Sequence, residues 1–271
     1  MSRWRRLKFE IRTFLGKYPE MFIPITAVRH RRRDRHHWLR PQLIAADTEL
    51  VVEGFPRSGN TFSIAACFVA MDERLPQMAH HLHVPAQLIQ AARRGTPAIA
   101  LIRRPVDAIA STMVHDPRLG PKQLIRAYLD FYRPLETYKK NILIAPFDLV
   151  TKDFGVVIEQ LNLQFGTTFP KFVHSPENVD RCFKLIEERN SMYTGNVTEN
   201  RIARPSTSRS RSNESVRSLL EDGRLRSLMS QADEIYGAFM DHARTQFSRL
   251  GQTHENALVP SPSADPVQVV A

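Results

Sequence analysis

The chain has 271 residues, 42% of them hydrophobic and 24% charged, which is enough to bury one sizeable core and too balanced for a disordered or fibrous protein. Two cysteines cannot make a disulfide framework, and no run reaches the roughly 20 apolar residues that a membrane-spanning helix needs. The net charge of +10 looks like a nucleic-acid signal, but residues 1–40 hold twelve Lys or Arg against three acids, leaving a balance of only +1 for the other 231 residues.

In chain order, residues 1–46 read as a basic arm. Residues 1–17 predict an amphipathic helix, with Trp4, Leu7, Ile11, Phe14 and Leu15 on one face. A mildly apolar stretch with Pro19 and Pro24 follows, then the charge run His30–His37. Such an arm can lie on an anionic membrane surface, or it can pack on the domain with its arginines solvated. It carries no long apolar run or small-residue cleavage site, so a cytoplasmic protein, peripheral at a membrane at most, is expected.

Residues 47–250 read as one domain. Glu49–Phe55, Pro97–Ile102 and Asn141–Pro146 are apolar runs of strand length. Between and after them lie helical patterns: from the first turn through Met71, Gln87–Arg94, from about Pro105, Pro121–Lys140, Phe154–Phe165 and 213–248. That alternation predicts a three-layer α/β fold, a parallel sheet flanked by helices. Cys67 and Cys182 sit in apolar, helical stretches and read as core residues, and 251–271 reads as a disordered tail.

Two turns carry the chemistry. Gly54-Phe-Pro-Arg-Ser-Gly-Asn-Thr61 stands where a strand ends and a helix begins, where backbone N–H groups and the positive helix end favour an anion. Gly59 lets the backbone turn tightly, Ser58 and Thr61 add hydroxyls, and Arg57 adds a permanent charge. Gly54, Gly59 and Thr61 are in register with the triphosphate loop G-x-x-x-x-G-K-[ST], but Asn60 stands in the lysine position, which removes the main cation for the β- and γ-phosphates. The second turn, Ile102-Arg-Arg-Pro-Val-Asp-Ala-Ile-Ala-Ser111, places Arg103 42 residues after Thr61. Pro105 suits a first helical position, Asp107 complements the helix end, and Ser111 can meet an anion held by Arg103.

Pro56–Phe62 resembles the P-K-S-G-T-T-W turn of the sulfotransferase family, with Pro56, Ser58, Gly59 and Thr61 matching. Arg57, Asn60 and Phe62 stand for lysine, threonine and tryptophan. Arg103, Pro105, Asp107 and Ser111 reproduce the family's second signature, and Pro146-Phe-Asp-Leu149 and Leu163-Gln-Phe-Gly166 extend the resemblance more weakly. The resemblance implies a P-loop nucleotide-kinase-like fold and a sulfuryl transfer from 3′-phosphoadenylyl sulfate to a hydroxyl or amine, without a metal. It implies a 5′ end on Arg57, Ser58, Gly59, Asn60, Thr61 and Phe62, and a 3′-phosphate on Arg103 and Ser111.

The family's base is the His of a His-Leu-Pro stretch, and His83-Val-Pro85, twenty residues before Arg103, matches its placement. His81 falls where relatives carry an assisting lysine, and is the second candidate; Arg57 would steady the leaving phosphate. Three imidazoles at 80, 81 and 83 rarely converge on one metal ion without other ligands nearby. The family's closing Arg-Lys-Gly loop is absent. Arg201–Arg211 stands in that region, with Arg204, Ser206 and Arg209 as candidate phosphate contacts, or as a solvated linker. Two other functions fit less of the chain: a P-loop nucleotide kinase, and a non-catalytic nucleic-acid module using the basic arm. A lipid- or glycan-linked acceptor suits a membrane-facing arm.

Overall fold

The computed structural model describes residues 3–30, 40–71, 76–194 and 216–248. Strands β1 (Leu50–Gly54), β2 (Met78–His80), β3 (Ala98–Ile102) and β4 (Leu143–Pro146) form one sheet in the order β2-β1-β3-β4, every pairing parallel. Successive strand residues point to opposite faces. Leu50, Val52, Ile99, Leu101, Leu143 and Ala145 enter one apolar cluster, whereas Val51, Ala98, Ala100, Ile102 and Ile144 enter the other. Helices α3 (Asn60–Ala70), α7 (Phe147–Lys152), α8 (Phe154–Phe165) and α9 (Pro176–Thr194) cover the first face. Helices α4 (Pro85–Arg94), α5 (Pro105–His115), α6 (Pro121–Tyr132), α10 (216–220) and α11 (Arg226–Phe247) cover the second. The expected α/β architecture of helices on both faces of a parallel sheet is therefore present. Cys67 and Cys182 share the first cluster, and burial pushes each thiol up to about 12.

Three of the four strands match the expected apolar runs. β2 escapes notice because three residues are too few to show a period, and the helical stretch expected around Cys182 is the middle of α9. The helix expected over 121–140 ends at Tyr132 and continues as a 3-10 helix, Arg133–Asn141, because Pro134 offers no N–H to the helical ladder.

The arm is docked on the domain. Its helices α1 (Arg3–Leu15) and α2 (Pro19–His30) meet at Gly16–Tyr18. Phe9 and Ile23 pack against the second cluster, and Phe22 and Leu15 pack with Leu82 and Val84. A Cβ at Gly16 would lie 2.6 Å from Val84 Cγ1, and the Gly16 carbonyl accepts from Ala86 N at 2.9 Å. The mildly apolar stretch is α2: Pro19 occupies its first position, where no N–H is needed, and Pro24 is exposed. Residues 31–39, which hold most of the second charge run, and the tail 251–271 lie outside the described residues. No helix among the described residues is long and apolar enough to cross a membrane.

The loops leaving β1 and β3 diverge to opposite sides of the sheet, which opens a crevice at the carboxyl ends of these adjacent strands. The strands meet closely there: Gly54 is opposite Leu101, and a Cβ on Gly54 would come within 2.7 Å of the Leu101 carbonyl oxygen. Gly54→Ala is expected to destabilise the chain by about 1–3 kcal/mol, as overpacking does. Urea unfolding with an unchanged midpoint would show that the strands can part without cost.

Candidate functional site

Both turns sit on that crevice. The first runs from Phe55 to Gly59, with Gly59 at φ 93° capping α3 and no side chain capping the helix. The second runs through Arg103 and Arg104 into α5, whose start likewise has no side-chain cap. Uncapped helix starts leave backbone N–H groups without intrahelical partners, the arrangement that receives anions.

The turns are bonded to each other. Arg57 Nε donates to Ser111 Oγ at 3.1 Å, and Arg103 Nη1 donates to the Arg57 carbonyl at 3.0 Å. Thr112 Oγ1 lies 3.5 Å from the Pro56 carbonyl, a weak third link. The Arg103 guanidinium also stands 4.1 Å above the Phe147 ring, at the end of β4. Tyr128 and Tyr132, one turn apart on α6, hold the strand ends from behind. Their hydroxyls donate to the carbonyls of Arg103 (2.9 Å) and Leu101 (2.8 Å).

Within the first turn, Asn60 faces inward: its Nδ2 donates to the Phe55 carbonyl at 3.1 Å, and its Oδ1 is buried without a hydrogen bond. In the position where a triphosphate loop has its lysine, this side chain closes the turn. Ser58 is fully buried, and its hydroxyl makes no bond of acceptable geometry although the Tyr132 phenol is adjacent. Phe62 is buried against Phe172, His174 and Phe183.

His80 ends β2 and His81 and His83 follow it, on the side of the first turn away from β3. Thr61 Oγ1 is 3.3 Å from His81 Nε2, and the Nδ1 atoms of His80 and His81 are 2.8 Å apart, one donating to the other. Both ring nitrogens of His81 are thus engaged. His83 differs. Its Nδ1 donates to the Gly54 carbonyl at 2.9 Å, which fixes the tautomer and leaves the Nε2 lone pair as the proton acceptor. Burial lowers the pKa of His83 to about 4, with the Gly54 bond opposing the shift and nearby arginines adding to it. His83 is only partly covered, whereas His80 and His81 are buried, with pKa values lowered to about 3 and well below 6.5 by burial first. All three rings are neutral at pH 7.

Among the described residues, three non-glycine residues have left-handed backbones: Arg57 (φ 67°), His81 (φ 60°) and His83 (φ 50°). These are the three residues the sequence singled out for catalysis. Such conformations cost about 1–2 kcal/mol each and persist where surrounding contacts enforce them.

Ser111 and Arg103 hold Arg57, whereas the contacts that hold the His81–His83 turn come from residues that no motif marked. Glu53, fully buried in β1, accepts from Leu82 N (2.7 Å), His83 N (2.9 Å) and Gln87 Nε2 (2.7 Å). Burial raises its pKa to about 7, against the pull of those three donors and of Arg12. Arg12 reaches from α1 to donate to the Leu82 carbonyl, so the arm helps shape the turn that holds His83. A carboxylate inside an otherwise apolar strand was the available signal for Glu53; nothing local marked Arg12 or Gln87. Arg217 is another addition. It pairs with Asp107 at 2.8 Å and brings α10 to the start of α5. Arg204, Ser206 and Arg209 lie outside the described residues.

A separate hollow of about 650 Å³ between α10 and α11 is walled by Glu221, Asp233 and Glu234 with Arg226, a balance of charge that repels a phosphate. No protein-family model matches the chain, and no curated protein matches it.

Proposed function

We propose that the chain is a sulfotransferase with a P-loop nucleotide-kinase-like fold, moving a sulfuryl group from 3′-phosphoadenylyl sulfate to an acceptor hydroxyl or amine. The observation that carries this reading is the joining of the two turns through Arg57, which bonds to Ser111 and receives Arg103 on its carbonyl. Two cationic turns held side by side suit a ligand with phosphates at both ends. The start of α3, which has no side-chain cap, suits the same ligand, since its first backbone N–H groups can bond a phosphate oxygen.

In this reading the 5′-phosphosulfate lies on Arg57–Thr61 and the 3′-phosphate on Arg103 and Ser111. The acceptor oxygen forms a bond to sulfur as the bond from sulfur to the phosphate oxygen breaks. The acceptor proton passes to His83 Nε2, Arg57 steadies the charge on the departing phosphate, and the 3′,5′-bisphosphate leaves. Glu53 and Gln87 position His83 and touch neither donor nor acceptor.

The test is a thermal-shift comparison of adenosine 3′,5′-bisphosphate with ATP and magnesium. At a hundred times its dissociation constant a ligand adds about 2.7 kcal/mol, roughly 5–10 °C for a domain of this size. The bisphosphate is expected to give that shift and ATP with magnesium little. The reverse order would make the chain a nucleotide kinase.

A further inference from the structure

The arm presents a surface that the crevice does not use. Eight of the eleven large hydrophobic side chains that are exposed among the described residues belong to α1, α2 and their junction. Trp4, Leu7, Ile11 and Phe14 come from α1, and Tyr18 from the junction. Met21, Ile25 and Val28 continue the series on α2, always at intervals of three or four residues. Within each helix that spacing keeps the exposed side chains on one face, and together they form the stripe.

The stripe cannot turn inward. The opposite side is fixed to the domain by Phe9, Phe22 and Ile23, by the Lys17–Asp130 ion pair at 3.0 Å, and by Gln123 donating to Glu10 at 2.8 Å. Cations border the stripe: Lys8 Nζ lies 5.1 Å from the Trp4 ring centre and Lys17 Nζ 4.8 Å from that of Phe14.

We infer that this stripe is a docking face for a lipid bilayer with anionic headgroups, on which α1 and α2 lie in the interfacial plane. Aromatic and aliphatic side chains on one face with Lys and Arg beside them match interfacial helices. Charge selects this occupant over a second copy of the chain. Twelve basic residues against three acids in residues 1–40 would repel each other across a homodimer, whereas anionic headgroups neutralise them. The junction is bonded to the segment that carries His83, through Gly16 to Ala86 and Arg12 to Leu82, so a docked bilayer lies beside the wall of the crevice. Resting on the sulfuryl-transfer reading, that contiguity names the acceptor class as a hydroxyl on a membrane-resident lipid or lipid-linked glycan.

Vesicle co-sedimentation of the full chain tests the docking without any reference to catalysis. Phosphatidylglycerol-containing vesicles should bind it, phosphatidylcholine vesicles should bind it far less, and added salt should release it. Ile11→Glu with Ile25→Glu should weaken binding about tenfold or more while the bisphosphate thermal shift persists. Leu163→Glu, more exposed than either isoleucine but off the stripe, should bind like the parent. With Trp38→Phe, Trp4 is the one tryptophan left, and its emission should shift to the blue on anionic vesicles. Equal binding to both vesicle types, an unshifted Trp4 emission, or undiminished binding of the double variant overturns the inference. So does a homodimer that the double variant splits in the absence of lipid. A failed bisphosphate shift with intact vesicle binding would overturn the sulfotransferase reading and leave the docking face standing.

Discussion

His83→Asn is expected to lower kcat by about a hundredfold to ten-thousandfold, the usual contribution of a positioned general base, while leaving bisphosphate affinity within a few-fold of the parent. Asparagine is the right replacement because it tolerates the left-handed backbone that His83 occupies (φ 50°), so the turn survives. His81→Asn should cost less, since both His81 ring nitrogens are already engaged by His80 and Thr61. A larger loss at His81 would exchange the two roles. The pH profile offers an independent check with a definite sign. Burial depresses the His83 pKa from 6.5 to about 4, so the proton-accepting neutral ring predominates above that value. In a Glu53→Gln background, which removes the carboxyl beside His83 that titrates near 7, activity should therefore fall as pH drops through about 4 and stay level through 6.5, where an unperturbed histidine would titrate. An acid limb centred at 6.5 would exclude His83 as the base in its observed environment.

Removing the Arg57 side chain should weaken bisphosphate binding by roughly 10- to 100-fold, from about 1.5–3 kcal/mol for hydrogen bonds to a charged group. Glycine is the informative substitution. Arg57 is held at φ 67°, a region glycine enters freely. Arg57→Gly should thus keep or raise thermal stability, by up to about 1 kcal/mol, while binding collapses. Strain kept for function gives opposite signs in the two measurements; a residue with only a structural role would lose stability and binding together. Isothermal titration beside urea unfolding separates these outcomes. Undiminished binding in Arg57→Gly would remove the first turn from the site.

What was legible along the chain follows from how local each signal is. The apolar runs 49–55, 97–102 and 141–146 stand out because strands buried on both faces need continuous hydrophobicity. The turns stand out because the spacing from Gly54 to Thr61 and from Arg103 to Ser111 is set within one strand-turn-helix unit. α2 and β2 were hidden for opposite reasons. Pro19 and Pro24 counterfeit a break where one opens a helix and the other faces outward, and three residues of strand carry no period.

By itself, then, the sequence determined the parallel α/β architecture and the order of the two cationic turns, which rest on periodicity and short-range spacing, while the candidacy of Arg57, His81 and His83 came from the resemblance to sulfotransferases. Only the tertiary structure decided how those residues are used. It set Arg57 against Ser111 across 54 residues, and drew Arg12 to Leu82 across 70. It placed Glu53 beneath His83, and it separated the engaged His81 from the open Nε2 of His83. Buried polar groups must find partners wherever the fold brings donors and acceptors together, and those partners lie on elements distant in the chain.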